Sequence, residues 1–174
     1  VASATSVLMC GAKPIFADIN LDDGNISLES IKKKITNKTK AIIAVHWAGY
    51  PCDLTEINNL AKKHNITVIE DAAHALGAKY KGKIIGNISD YTCFSFQSIK
   101  HLTTGDGGMI SLKRNFDFNK CKRIRWFGID RQKTKFNKLN VRNSEIFELG
   151  YKYHMNDIAA AIGIGNLMNF KKNQ

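Results

Sequence analysis

Three short stretches of this 174-residue chain carry side chains suited to chemistry. The first is Glu70-Asp71-Ala72-Ala73-His74-Ala75, where Asp71 closes an apolar run. The second is Phe94-Ser95-Phe96-Gln97-Ser98-Ile99-Lys100, in which aromatic residues flank Ser95 and a lysine follows five residues later. The third is Thr103-Thr104-Gly105-Asp106-Gly107-Gly108, a glycine-rich turn that feeds another apolar run. Each has an ordinary explanation when taken singly. An Asp between a strand and a helix serves as an N-cap about as readily as it binds a ligand. A lone Lys is usually solvated. The glycine turn matches neither the P-loop nor the GxGxxG pattern.

Taken together, the three stretches suit one chemistry, that of pyridoxal 5'-phosphate. Lys100 offers an amine which, when neutral, forms a Schiff base with an aldehyde. Asp71 offers a carboxylate to pair with the pyridinium nitrogen and keep it protonated, so that the ring accepts electrons from a carbanion. Ser95 offers a hydroxyl for the phosphate.

Such groups must be brought together by regular elements. Pro14–Asp18 reads as a strand. Ser27–Ile35 reads as a helix, with Ser27 as N-cap and Ile31 and Ile35 in its apolar stripe. Ala41–His46 is a continuous apolar run, the pattern of a strand buried on both faces. Asp53–Lys63 reads as a helix with Asp53 as its cap and Glu56 at the capping-box position. Thr67–Asp71 is the next strand. This alternation predicts an α/β fold with a parallel sheet and right-handed crossovers. Gly77–Gly86 reads as a hairpin turning at Lys81-Gly82. Tyr91–Phe96 and Gly108–Leu112 read as strands, Phe116–Trp126 as a helix, Gly128–Ser144 as a long surface loop, and Asn156–Phe170 as a final helix. Val1–Met9 has the character of a helix from the middle of a domain, and the chain reads as a piece of a larger protein. Ligands of such sheets sit beyond the carboxyl ends of the strands, where Asp71 and the Ser95–Lys100 stretch fall.

Composition narrows the classes further. The chain is 44% hydrophobic, enough for a domain with a core, which excludes a disordered chain. No apolar run approaches the roughly 18 residues needed to cross a bilayer. With 26 Lys and Arg against 15 Asp and Glu, the net charge of +11 points to anionic partners. Eleven of the basic residues fall within Lys113–Arg142. Cys10, Cys52, Cys93 and Cys121 lack metal-ligand spacing, and Cys10 and Cys93 read as small buried hydrophobes in a reduced, cytoplasmic protein.

The three stretches, Glu70–Ala75, Ser95-Phe-x-x-x-Lys100 and Thr104-Gly-Asp-Gly-Gly108, also occur in the order and spacing of a known group. In these motifs the chain resembles the DegT/DnrJ/EryC1/StrS aminotransferases, which act on nucleotide-linked keto sugars. His46-Trp-Ala-Gly49 and Gly150–Asp157 resemble further segments of that family, so the likeness runs along nearly the whole chain. It implies a three-layer, mostly parallel sheet, the fold type I of pyridoxal-phosphate transferases, with residues 1–174 as part of the cofactor-binding large domain. It makes Lys100 the Schiff-base lysine and proton shuttle, and Asp71 the partner of the ring nitrogen. It places His74 beside the cofactor's hydroxyl and makes Ser95 a phosphate ligand. His46 and Gly49 match a family motif, and packing is the expected role for both.

The family's Gly-x-Asn-x-Arg segment donates an Asn to the phosphate of the neighbouring subunit. This chain has Lys152 and His154 at the corresponding places, and Lys152 is the candidate phosphate cation. The resemblance further implies a nucleotide-sugar substrate, an amino-acid donor such as glutamate, and a homodimer with shared active sites. Related dehydratases carry His at the Schiff-base position, so Lys100 favours transamination over dehydration, while a lyase stays open. A different class also competes. Lys113–Arg142, with Trp126 and Phe127 among its arginines, has the composition of a nucleic-acid surface, although no recognised module contains it.

Overall fold

Alternating apolar positions become strands here only where a neighbouring strand accepts their backbone hydrogen bonds. The computed structural model describes residues 1–113 and 115–170, without the side chains of residues 115 and 116. Arg114 of the basic run and the tail 171–174 lie outside the described residues. The chain begins with helix α1 (Ala2–Met9), followed by α2 (Leu28–Lys34), strand β1 (Ala41–Val45), α3 (Leu54–Lys63) and β2 (Thr67–Asp71). Then come the hairpin β3 (Lys79–Tyr80) and β4 (Lys83–Ile84), and the strands β5 (Tyr91–Ser95) and β6 (Gly108–Leu112). Helix α4 (Asn115–Ile124), a second hairpin of β7 (Lys135–Phe136) and β8 (Arg142–Asn143), and α5 (Asp157–Phe170) complete the order.

The main sheet has the order β1-β2-β5-β6. β1, β2 and β5 are parallel, and β6 runs antiparallel to β5. Successive side chains point to opposite faces. Ile42, Ala44, Val68, Thr92 and Phe94 are buried on one face, where Ile31 of α2 and Leu54, Ile57 and Ala61 of α3 join the same core. α2 is capped as the sequence predicts: Ser27 Oγ accepts from the Ser30 N–H at 3.4 Å. The other face is thinly covered. α1 reaches it through Ser3, whose hydroxyl donates to Asp71 at 2.7 Å. α4 reaches it where Tyr91 Oη donates to Asp117 at 2.6 Å, a bond that raises the Tyr91 phenol to about 12. Helices on both sides of a mostly parallel sheet make the three-layer α/β architecture.

Several expectations need correction. Pro14–Asp18 is not a strand: Ile15 and Phe16 are exposed, and among the described residues the pairing nearby is an isolated bridge between Ile19 and Ile26. β1 is buried on one face rather than two, because it is the outer strand and helices cover one side of it; Ala41 and Val45 are exposed. Asp53 sits at the N-cap of α3 but makes no capping bond. It accepts instead from Tyr80 Oη, which in turn receives the Thr55 N–H at 3.2 Å, so a tyrosine from the hairpin does the capping. Gly128–Ser144 is not a plain loop; it holds a single 3₁₀ turn and the β7–β8 hairpin. Cys10 and Cys93 are exposed. Cys10 ends a helix with no buried residue, and Cys93 lies on the thinly covered sheet face. Cys52 is the buried cysteine, and burial pushes its thiol up to about 12.

Candidate active site

The parallel register sets Asp71 beside Cys93, so Asp71 and Ser95, two residues further along β5, share one face at the carboxyl ends of adjacent strands. It is the thinly covered face. Both residues are half-buried. Opposite Ser95 on β6 stands Gly108, which puts no side chain beside the hydroxyl. Asp71 Oδ2 accepts from Ser3, and Oδ1 accepts the Ala73 N–H at 3.2 Å. No helix starts here; the chain turns, so Asp71 is not an N-cap, and its carboxylate is held in one orientation. Ser3 lies 68 residues away from its partner, so no local pattern in the sequence points to it.

Lys100 follows β5 in a tight turn, its N–H bonded to the Gln97 carbonyl at 2.9 Å. Its side chain is half-buried, and among the described residues no hydrogen bond or ion pair engages Nζ. The glycine turn ties down this loop. Thr104 N–H donates to the Phe96 carbonyl at 2.9 Å, and Phe96 N–H donates to the Gly107 carbonyl at 2.8 Å. Buried Thr104 ties the turn internally through Asp106. The loop carrying Lys100 is therefore clamped at both ends.

His74 is exposed in the turn after β2. Its carbonyl lies so close to Gly49 that a Cβ there would stand 2.5 Å from the oxygen, and Gly49 has φ +87°. Gly49→Ala is expected to destabilise the fold by about 1–3 kcal/mol from backbone strain alone, with the overlap adding to it. Chemical denaturation checks this. Lys152 stands apart from the other candidates: it is exposed, on an isolated bridge to Trp126, with no hydrogen bond to them among the described residues.

The opposite face of β2 carries a polar cluster. Glu70 and His46 side chains are wholly buried, with His46 Nε2 2.9 Å from Glu70 Oε2. His46 Nδ1 accepts the Cys52 N–H at 3.1 Å, so the imidazole carries its proton on Nε2 and donates it to Glu70. Packing, the role expected of His46, is what this burial shows. Burial alone would raise the Glu70 carboxyl; hydrogen bonds from His46 and from Ser89 outweigh it and hold the carboxyl below its ordinary 4.5. That contribution to stability is complete above pH 4.5 and is lost as pH falls through the lower folded value. Melting temperature followed from pH 7 downward is expected to fall below pH 4.5, and Glu70→Gln is expected to flatten that decline.

The basic stretch is occupied by its own contacts. Trp126 packs edge-on against His154 at 3.9 Å between ring centroids, and Arg131 lies 5.0 Å over the Trp126 ring. Arg123 pairs with Glu148 at 2.6 Å. Trp126 thus has little ring face left for a nucleic-acid base. A surface groove of about 610 Å³ between Phe16 and Lys34 contains none of the candidate residues.

Fold and site together define a class: an open α/β sheet that presents a carboxylate, a hydroxyl and an unengaged lysine at the carboxyl edge of adjacent strands. The model of the DegT/DnrJ/EryC1/StrS aminotransferase family matches residues 1–174, and the chain belongs to that family. It is 50% identical over 157 residues to an uncharacterized protein of Methanocaldococcus jannaschii, covering 90% of this chain and 41% of that one. It is 40% identical over 167 residues to the GDP-perosamine synthase of Escherichia coli O157:H7, covering 96% of this chain and 43% of that enzyme. Helicobacter pylori PseC, an aminotransferase involved in pseudoaminic acid biosynthesis, superposes with a TM-score of 0.89 at 32% identity, over 99% of this chain and 44% of that one. The chain thus spans under half the length of these relatives.

Proposed function

We propose that the protein is a pyridoxal-phosphate-dependent aminotransferase that moves an amino group from an amino acid, such as glutamate, to the keto carbon of a nucleotide-linked deoxy sugar. One observation carries the reading: Asp71 and Ser95 share the open face of the sheet, just before the clamped loop that bears Lys100. The residues present fit the cofactor. Asp71 has its orientation set from two sides, the Ser95 hydroxyl has no side chain opposite it, and Lys100 Nζ has no competing partner among the described residues.

When bound, the cofactor supplies an aldehyde and an electron sink. Asp71 would hold the proton on the ring nitrogen. Ser95 would donate to the phosphate, with Lys152 as a further cation from a neighbouring subunit. His74 would face the ring hydroxyl. The Lys100 amine would carry the proton to and from the substrate carbon. Residues 1–174 would form part of the large domain of a homodimer with shared sites, in the cytoplasm; no helix among the described residues is long and apolar enough to cross a membrane.

The family relatives named above favour transamination over a dehydratase or lyase. The test is to incubate full-length protein with pyridoxal phosphate, glutamate and a nucleotide-linked keto sugar. Release of 2-oxoglutarate coupled to amino-sugar formation supports the proposal. Consumption of the sugar without 2-oxoglutarate would point to the dehydratase or lyase instead.

A further inference from the structure

His46 grips β2 at two consecutive residues. Its backbone N–H donates to the Asp71 carbonyl at 3.1 Å, and its imidazole donates to the Glu70 carboxylate at 2.9 Å. Glu70 Oε1 in turn accepts the Ser89 N–H at 2.9 Å, and Ser89 Oγ accepts from Asn58 of α3, also at 2.9 Å. His46 and Glu70 have no solvent exposure. A buried carboxylate with donors on both oxygens cannot slide without leaving one of them unmade. Glu70 faces the core and Asp71 the open face, so the position of one along the strand sets the position of the other. From the same turn, Gly49 presses against the His74 carbonyl.

We propose that His46 and Glu70 are positioning residues that set the Asp71 carboxylate and the His74 turn against the cofactor, an inference that rests on the function proposed above. Neither side chain touches the reacting atoms. They act through β2, as partners behind a binding group commonly do.

The test compares Glu70→Gln with Ile57→Val in full-length protein. Ile57 is buried in the same core, and its side chain carries no polar group that could bond to this cluster. In Glu70→Gln, one amide oxygen can keep the Ser89 N–H, and the amide NH₂ then meets the Nε2–H of His46. The imidazole cannot change tautomer without turning a proton toward the Cys52 N–H. Four quantities are read: melting temperature, the dissociation constant for pyridoxal phosphate by absorbance titration, and kcat and KM for the amino donor.

The expected result is a loss of kcat on the order of 10- to 100-fold in Glu70→Gln, with cofactor binding weakened and KM for the donor little changed. Ile57→Val should lower the melting temperature yet keep kcat and cofactor affinity. If the two variants match in kcat and cofactor affinity, the positioning role is overturned and Glu70 only stabilises the fold. If Glu70→Gln does not fold, Ser89→Ala carries the same comparison, because it removes the hydroxyl that bonds to Glu70 and accepts from Asn58, and leaves the backbone bond to Glu70. There, a loss of about threefold in kcat supports the proposal and an unchanged kcat overturns it. If the unmutated protein gives no absorbance change with pyridoxal phosphate, the proposed function falls, and this inference with it.

Discussion

Lys100→Ala is expected to abolish the visible absorption band that the full-length protein develops with pyridoxal phosphate, and with it turnover. Losing the proton shuttle alone costs roughly 10²- to 10⁴-fold, and losing the covalent anchor adds to that. Lys100→Arg is the stricter version. It keeps the positive charge in the clamped loop but cannot form an imine, so it too should lack the band and the activity. The structure makes the expectation specific. The loop is tied to Phe96 through Thr104 and Gly107, so replacing a half-buried side chain within it should leave the fold intact. An unchanged melting temperature alongside the lost band would show that chemistry, not folding, was removed. Retained turnover in Lys100→Arg would contradict the assignment.

Asp71→Ala should separate cofactor binding from catalysis. Removing one partner of a desolvated charge pair costs about 2–5 kcal/mol, or roughly 30- to several-thousandfold in rate when the loss falls on the transition state. The phosphate and imine anchors remain, so some cofactor should still bind. Asp71→Asn keeps the shape and one acceptor, which serves the Ala73 N–H while the Ser3 hydroxyl turns to accept from the new amide; it loses the charge, and should lose most of the same turnover. Absorbance titration and steady-state rates on the two variants provide the check. Equal turnover in Asp71→Asn and the parent would mean that no charge is needed at the ring nitrogen.

These predictions depend on residue types that the sequence displays openly. Lys100, Asp71 and Ser95 stand at spacings that point to one chemistry, whereas the burial of Phe94 and Phe96 in the core, which turns Ser95 to the other face, comes from the structure. The helical stripes of α2 and α3 and the Lys81-Gly82 hairpin were equally legible, because each depends on residues a few positions apart. Pro14–Asp18 was misread for a related reason. An apolar run has strand character locally, but a strand exists only where a partner lies alongside, and here pairing stops at one bridge.

What the sequence alone determined, then, is the set of reactive groups, the local elements that carry them and the family they belong to. Tertiary structure decided which groups share a face and what holds them there. The register of β2 against β5 puts Asp71 and Ser95 on the same side. Ser3 reaches Asp71 across 68 residues, and His46 reaches Glu70 across 24. Tyr80, rather than Asp53, caps α3 because the hairpin folds back over it. Contacts at such separations follow from how sheet and helices pack to bury their apolar faces, and no local pattern in the chain records them.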